Sequence, residues 1–169
     1  VAYLAQTYGV EGPLRWAIAG RNRDKLDAVR KACLPEALRE KLPVLQADSG
    51  DAASLDRLAR QARVLCTTVG PYAKYGTPLV AACVEAGTHY CDLTGEVQWM
   101  ARVIAQYQRA AEASGARIVH TCGFDSVPFD MGNWYLQQQM FERHGVHAQR
   151  VKARVGRNRF RDGRGVVEL

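Results

Sequence analysis

Two rhythms of apolar residues alternate along the chain. Short apolar and β-branched runs lie at residues 15–19, 43–47, 64–69, 88–93 and 117–122, and runs of this kind predict strands. Between them the apolar positions recur at helical spacing. Leu26, Val29 and Cys33 form one stripe, and Leu55, Leu58, Ala59 and Ala62 the next. Leu79, Ala82, Cys83 and Ala86 continue the pattern, followed by Met100, Val103, Ile104, Tyr107 and Ala111. Such stripes predict amphipathic helices with one buried face. Gly87 and Gly115 fall just past two of them, where a left-handed cap is wanted. A further amphipathic helix is expected over 128–143 and a strand over 150–155.

The strand starts lie 20 to 30 residues apart, the length of a βαβ unit. The fold class is therefore α/β, a doubly wound parallel sheet of Rossmann type with helices on both faces. In such a sheet the first strand is central and leads through a tight turn into the first helix. Residues 1–9 instead read as the second half of a helix ending at Gly9. The first strand and the glycine-rich loop are thus expected to be missing, with a genuine short N-terminal helix as the alternative. Residues 1–149 are expected to form a truncated dinucleotide-binding domain. Residues 150–169 would be the start of a substrate domain or an aberrant basic tail.

Charge changes the picture at that boundary. The 169 residues carry a net charge of +6, which invites a nucleic-acid partner. Yet residues 1–149 hold 16 basic and 15 acidic side chains, whereas 150–169 hold seven and two. The folded body is near neutral and the excess belongs to a glycine-spaced tail, so no nucleic-acid partner is expected. No apolar run approaches the roughly 20 residues of a membrane helix, and no signal-peptide pattern opens the sequence. A cytoplasmic location is expected, with peripheral membrane contact left open. The five cysteines form no C-x-x-C pair and mostly sit in apolar runs, which reads as small buried thiols and no metal site.

The candidate chemistry gathers at the carboxyl ends of the strands. The second strand position of a nicotinamide-binding sheet faces the adenosine ribose, and a basic residue there suits a 2′-phosphate. The run 19–26, AGRNRDKL, places Gly20 and then Arg21 at that point, with Lys25 one helical turn on. Asp48 ends the third strand position and could accept from an adenine amino group, or Ser49 or Asp51 could simply cap the next helix. Val69, Gly70, Pro71 and Tyr72 follow the fourth, at the topological reversal where a cofactor lies. Tyr72, Lys74 and Tyr75 either face that crevice or pack over the sheet. Asp92 and Glu96 position a substrate or cap the following helix, with Thr94 as its N-cap. Ser126 lies near His120 but in no G-x-S-x-G elbow, so an acyl-enzyme mechanism is not expected.

Three segments taken together resemble the saccharopine-dehydrogenase-like oxidoreductase family: 19–26, 67–96 (TTVGPYAKYGTPLVAACVEAGTHYCDLTGE) and 116–132 (ARIVHTCGFDSVPFDMG). Within it they are most similar to bacterial trans-acting enoyl reductases. The resemblance implies NADP as cofactor, with Arg21 on its 2′-phosphate. Asp48 and the stretch Val69, Gly70, Pro71, Tyr72 would line the path from adenine to nicotinamide. It further implies a small-molecule or acyl-carrier-bound lipid substrate and a partner polyketide synthase. The catalytic acid is not identified; Tyr72 and Tyr75 are the first candidates. Two departures stand out, the absent G-x-x-G-x-x-G-type turn and the basic stretch 157–169. They leave a second reading open, a non-catalytic or inactive NADP-binding module acting as sensor, scaffold or degenerate fragment.

Overall fold

Strands and helices alternate in the computed structural model, which describes residues 1–154 and, beyond them, the backbone of Arg159–Arg161 and Arg164–Val166. Local capping chemistry sets the helix limits. After α1 (Ala2–Tyr8) and β1 (Ile18–Gly20), the Asn22 side chain accepts from the Lys25 amide at 2.9 Å and starts α2 (Arg23–Cys33). A short α3 (Glu36–Arg39), too brief to show a period, precedes β2 (Val44–Gln46). Asp51, one of the two caps foreseen, accepts from Ala53 N–H and starts α4 (Ala52–Arg60). Then come β3 (Val64–Thr67), α5 (Tyr72–Ala86), β4 (His89–Asp92), α6 (Val97–Ser114) and β5 (Ile118–Val119). Gly87 and Gly115 close α5 and α6 at φ 69° and 76°, a conformation that costs glycine nothing.

The chain divides into two compact units, Val1–Cys122 and Gly123–Leu169. In the first, every strand pair is parallel, but the five strands form two sheets rather than one. β1 pairs with β2, and β3 pairs with β4, which pairs with β5. No described strand pairs with the remaining edge of β1 or of β3.

Coverage also differs from the expectation of two helical layers. Leu65, Tyr90 and Ile118 are register partners across β3–β4–β5 and point into the core with Leu55, Val80, Trp99 and Val103. Helices α4, α5 and α6 pack side by side on that face. The other face carries Val64, Cys66, Cys91 and Val119, and Val64 and Val119 are 55% and 51% exposed. The sheet is therefore single-sided among the described residues. This corrects the reading of the cysteines as buried: Cys83 is, but Cys66 and Cys122 are exposed, and Cys33 and Cys91 are half-buried.

The second unit opens with α7 (Val127–His144), close to the span expected and with Pro128 in its first turn, but the buried face expected of it is absent: none of its residues is buried, and Met131, Trp134 and Tyr135 are exposed. Ser126 stands at the cap position but its side chain makes no capping bond. Gln137 closes the segment after Gly145 by bonding both the N–H and the carbonyl of Ala148. The strand expected over 150–155 does not form at 150–154, and residue 155 lies outside the described residues. A two-stranded antiparallel hairpin, β6 (Arg159–Arg161) and β7 (Arg164–Val166), stands in the basic region.

Candidate functional site

Within each sheet the parallel strands put their carboxyl ends together, and the sequence-derived residues fall into two clusters, one at each sheet. The first lies at β1–β2. The amide of Ala47 bonds Gly20 O at 3.1 Å and the Gln46 side chain bonds Arg21 O at 3.2 Å, tying the two strand ends side by side. Arg21 and Lys25 are exposed. Neither side chain has a hydrogen bond or ion pair among the described residues. Their neighbours behave differently. Arg23 pairs with Asp27, and Arg30 is buried against Asp27, Glu40 and the carbonyls of Arg39 and Leu42. Asp48 is exposed and uses one carboxylate oxygen on Gly50 N–H, while its backbone is held by Ser54. A Cβ added at Gly20 would meet only the Leu26 side chain, at 3.4 Å and beyond. Packing in this unit does not demand that glycine.

The second cluster lies at β3–β4–β5 and is saturated. Val69, Gly70 and Pro71 are exposed, with the Gly70–Pro71 bond cis. Tyr72 is not: it is 5% exposed, packs with its ring centre 5.5 Å from that of Trp99 and donates its hydroxyl to Thr67 O at 3.1 Å. Burial raises its phenol above the ordinary value. The hydroxyl is already used, which removes Tyr72 from the two tyrosines considered as proton donors. Tyr75 stays half-buried, with the Lys74 ammonium 5.0 Å from its ring centre.

Glu96 departs furthest from its expected role. It occupies the N-cap position of α6 without capping it. Its carboxylate instead accepts from the amides of Tyr72 and Ala73, at 2.6 and 2.8 Å, at the start of α5. A carboxylate at a helix N-terminus satisfies free N–H groups and faces the positive end of the dipole. The anion position of α5 is thus filled by the chain itself. Thr94, expected to cap α6, accepts from Glu96 N–H within the loop.

Asp92 is neither a cap nor an exposed substrate ligand. It is 1% exposed, and its carboxylate accepts from the Tyr90 hydroxyl, the amides of Thr94 and Thr121, and His120 Nδ1 at 2.7 Å. Burial pushes this carboxyl upward, but the bonds from His120, Thr94, Tyr90 and Thr121 outweigh it and hold it below the ordinary Asp range. Because an ionised carboxylate only accepts, Nδ1 of His120 carries the hydrogen. Nε2 of His120 is buried without a partner among the described residues. Burial, then the Asp92 charge, drives the Tyr90 hydroxyl well above its ordinary range. Thr121 sits at φ 60°, held there by its bond to Asp92.

Sequence reasoning missed the roles of Trp99, Gly76 and His120. Trp99 is 2% exposed, bonds Thr77 through its indole N–H and stands 5.0 Å from the His120 ring. Gly76 makes that possible, since a Cβ there would come within 2.6 Å of the indole. Its place as a small residue on the buried side of α5's first turns was the only available signal. A groove of about 330 Å³ runs between α6 and β5, lined in part by Val103, Ile104, Tyr107 and His120. None of the residues singled out for cofactor binding lines it. No group of three or more His, Cys, Asp or Glu able to hold a metal occurs among the described residues. No described helix is long and apolar enough to cross a membrane.

Parallel βαβ units in the sheets β1–β2 and β3–β4–β5, with polar groups collected at the carboxyl ends of their strands, match a Rossmann-like dinucleotide-binding fold. Residues 1–119 match the saccharopine dehydrogenase NADP binding domain family, and the chain belongs to it. A Mycobacterium tuberculosis relative, named putative trans-acting enoyl reductase, is 49% identical over 134 residues, which are 79% of this chain and 31% of that protein. Proteins of Mycobacterium ulcerans and Mycobacterium leprae, each named trans-acting enoyl reductase, are 46% and 43% identical. The matched regions cover 76% and 78% of this chain but only 30% and 31% of those proteins. The chain thus spans about a third of the length of these relatives. Apo saccharopine dehydrogenase (L-Glu forming) from Saccharomyces cerevisiae shares the fold, with a TM-score of 0.63 at 14% identity, over 85% of this chain and 29% of that one.

Proposed function

We propose that this chain is the NADP-binding part of an NADPH-dependent reductase whose whole reaction is the reduction of an enoyl double bond on a polyketide-derived acyl substrate. The observation that carries the cofactor half is Arg21. Its guanidinium stands just past β1, exposed and without a partner among the described residues, while Arg23 and Arg30 on the adjoining α2 are ion-paired. A planar fork in that position suits paired hydrogen bonds to a 2′-phosphate, and Lys25 adds a second charge. Gly20, free of any packing demand, leaves room for the adenosine beside it. The Asp48 oxygen not used by Gly50 would accept from the adenine amino group.

At the reversal, Val69, Gly70 and Pro71 would offer exposed backbone and one apolar side chain to the nicotinamide end. Tyr72 would act by holding that loop, because its hydroxyl and ring are engaged. The α5 N-terminus is closed to the diphosphate by Glu96. Bound NADPH would supply a hydride for an electron-poor carbon. Of the two tyrosines considered, Tyr75 remains the candidate to meet the charge that then develops on the substrate. The names of the mycobacterial relatives support the enoyl substrate. An acyl-carrier-bound lipid and a polyketide synthase partner follow from the resemblance of segments 67–96 and 116–132.

Titration with NADPH and with NADH, followed by nicotinamide fluorescence, tests this reading. Binding of NADPH in the micromolar range with a clear preference over NADH is expected, and Arg21→Asp should weaken NADPH by about 1–3 kcal/mol while leaving NADH nearly unchanged. Equal affinities would sink the role of Arg21. No binding of either cofactor would favour the inactive-module reading.

A further inference from the structure

The exposed face of the β3–β4–β5 sheet carries a feature that cofactor binding does not use. Cys66 on β3 and Cys91 on β4 are register partners. In a parallel ladder, partners stand on the same face of adjacent strands, about 4.8 Å apart. That separation falls inside the Cα range a disulfide accepts, about 4.4–6.8 Å. Both lie on the bare face, Cys66 exposed and Cys91 half-buried. The core residues Leu65 and Tyr90, the adjacent register pair, point the other way. Burial and then the neighbouring Cys66 thiol push Cys91 up to about 12. Cys122, also exposed, lies near enough to Cys91 to be felt in its titration.

We infer that Cys66 and Cys91 form a dithiol pair that closes to a cross-strand disulfide by exchange with a small-molecule disulfide, making this sheet face a redox modification site. The exposed Cys66 thiolate attacks one sulfur of the small disulfide, whose S–S bond breaks. One small thiolate leaves and takes up a proton, and Cys66 holds the other half as a mixed disulfide. Cys91, once deprotonated, attacks Sγ of Cys66 and expels the second small thiol. Two protein thiols are oxidised and one small disulfide is reduced to two thiols, with no further oxidant. Because burial raises the Cys91 thiol, and that cause persists in the mixed disulfide, the second step is the slow one and should quicken as pH rises from about 7 toward about 9.

Oxidised glutathione is the probe, with the whole chain as protein. After exchange, blocking of remaining thiols and tryptic digestion, the expected product joins the peptide 64–74, whose only cysteine is Cys66, to the peptide 75–102 through Cys91. The joined Cys66 and Cys91 peptides should together weigh two hydrogens less than the two separate peptides and carry no glutathione. Cys91→Ser should trap a lasting glutathione adduct on Cys66, whereas Cys83→Ser should leave the bridge intact. Circular dichroism of both variants separates misfolding from chemistry. A persistent glutathione adduct on Cys66 in the unsubstituted chain would overturn the inference. So would a bridge through Cys122 or Cys83, or no reaction across that pH range.

Discussion

The two strand groups of the first unit treat their charged side chains in opposite ways. At β3–β4–β5, Asp92 and Glu96 are saturated by neighbours within the chain. At β1–β2, Arg21 and Lys25 stand in solvent without partners among the described residues, and Asp48 keeps one oxygen unused. Both sets occupy carboxyl ends of parallel strands, where ligands bind in open α/β sheets. Position alone therefore does not mark a ligand residue. The cofactor contacts proposed above add to it hydrogen-bonding capacity that the fold leaves unused. Substitutions in the saturated cluster should act on stability, and those at the open cluster on cofactor affinity.

The largest effect that would test this contrast is at Asp92. Asp92→Asn keeps the size but loses the charge that His120, Tyr90 and two amides converge on. A loss of about 3 kcal/mol in unfolding free energy is expected. The pH dependence gives a second readout. The folded carboxyl titrates below its unfolded value, so its stabilisation is complete above about pH 4 and is lost as pH falls through the lower folded value. The stability gap between the unsubstituted chain and D92N should therefore narrow in acid. Urea titrations at neutral and acid pH measure it, and a constant gap would show that the charge of Asp92 is not what stabilises the site.

A smaller cost is expected at Gly76, where the saturated cluster depends on shape. Alanine there gains up to about 1 kcal/mol of helix propensity but sets its Cβ 2.6 Å from a buried indole. A net loss of about 1–3 kcal/mol follows from the overpacking. Adding Trp99→Phe should return part of that loss, because the phenyl ring lacks the atoms in conflict. A double substitution no better than the sum of the singles would show that the Gly76–Trp99 contact is not the constraint.

How far the sequence disclosed these clusters follows from the range of the interactions. The β1 end was legible because what defines it is local: a strand, a glycine and an arginine, all adjacent in the chain; the Asn22 cap that starts α2 went unread. Helices α4, α5 and α6 were legible because their period encodes which face is buried. The single-sided sheet was not, since alternation in Val64–Thr67 does not say whether a second layer exists to cover Cys66. Glu96 was misread for a related reason. Its neighbours Thr94 and Val97 make a plausible local cap, whereas its actual partners lie 24 and 23 residues earlier, at Tyr72 and Ala73. Asp92 likewise gathers donors from β4, its own loop and the residues after β5, a convergence that exists only once the strands pair.

Glu96 gives the smallest effect and the sharpest spatial readout. A carboxylate offers an acceptor to each of the two amides, whereas Gln offers one oxygen and turns a donor toward the other N–H. It also removes the charge that faces the α5 dipole. Glu96→Gln should therefore cost about 1 kcal/mol, a change that global unfolding barely resolves. Hydrogen exchange resolves it by position. The amides of Tyr72 and Ala73 should exchange faster in the variant, while those of Gln46 and Ala47 at the β2 end stay as they were. The same variant asks whether the chain's own carboxylate is what closes this helix to anions. With the charge gone, inorganic phosphate should slow exchange at Tyr72 and Ala73 in Glu96→Gln and leave the unsubstituted chain unaffected. Equal protection in both would mean that the α5 N-terminus was open all along, and the contrast between a saturated and an open cluster would fail at its most exposed point.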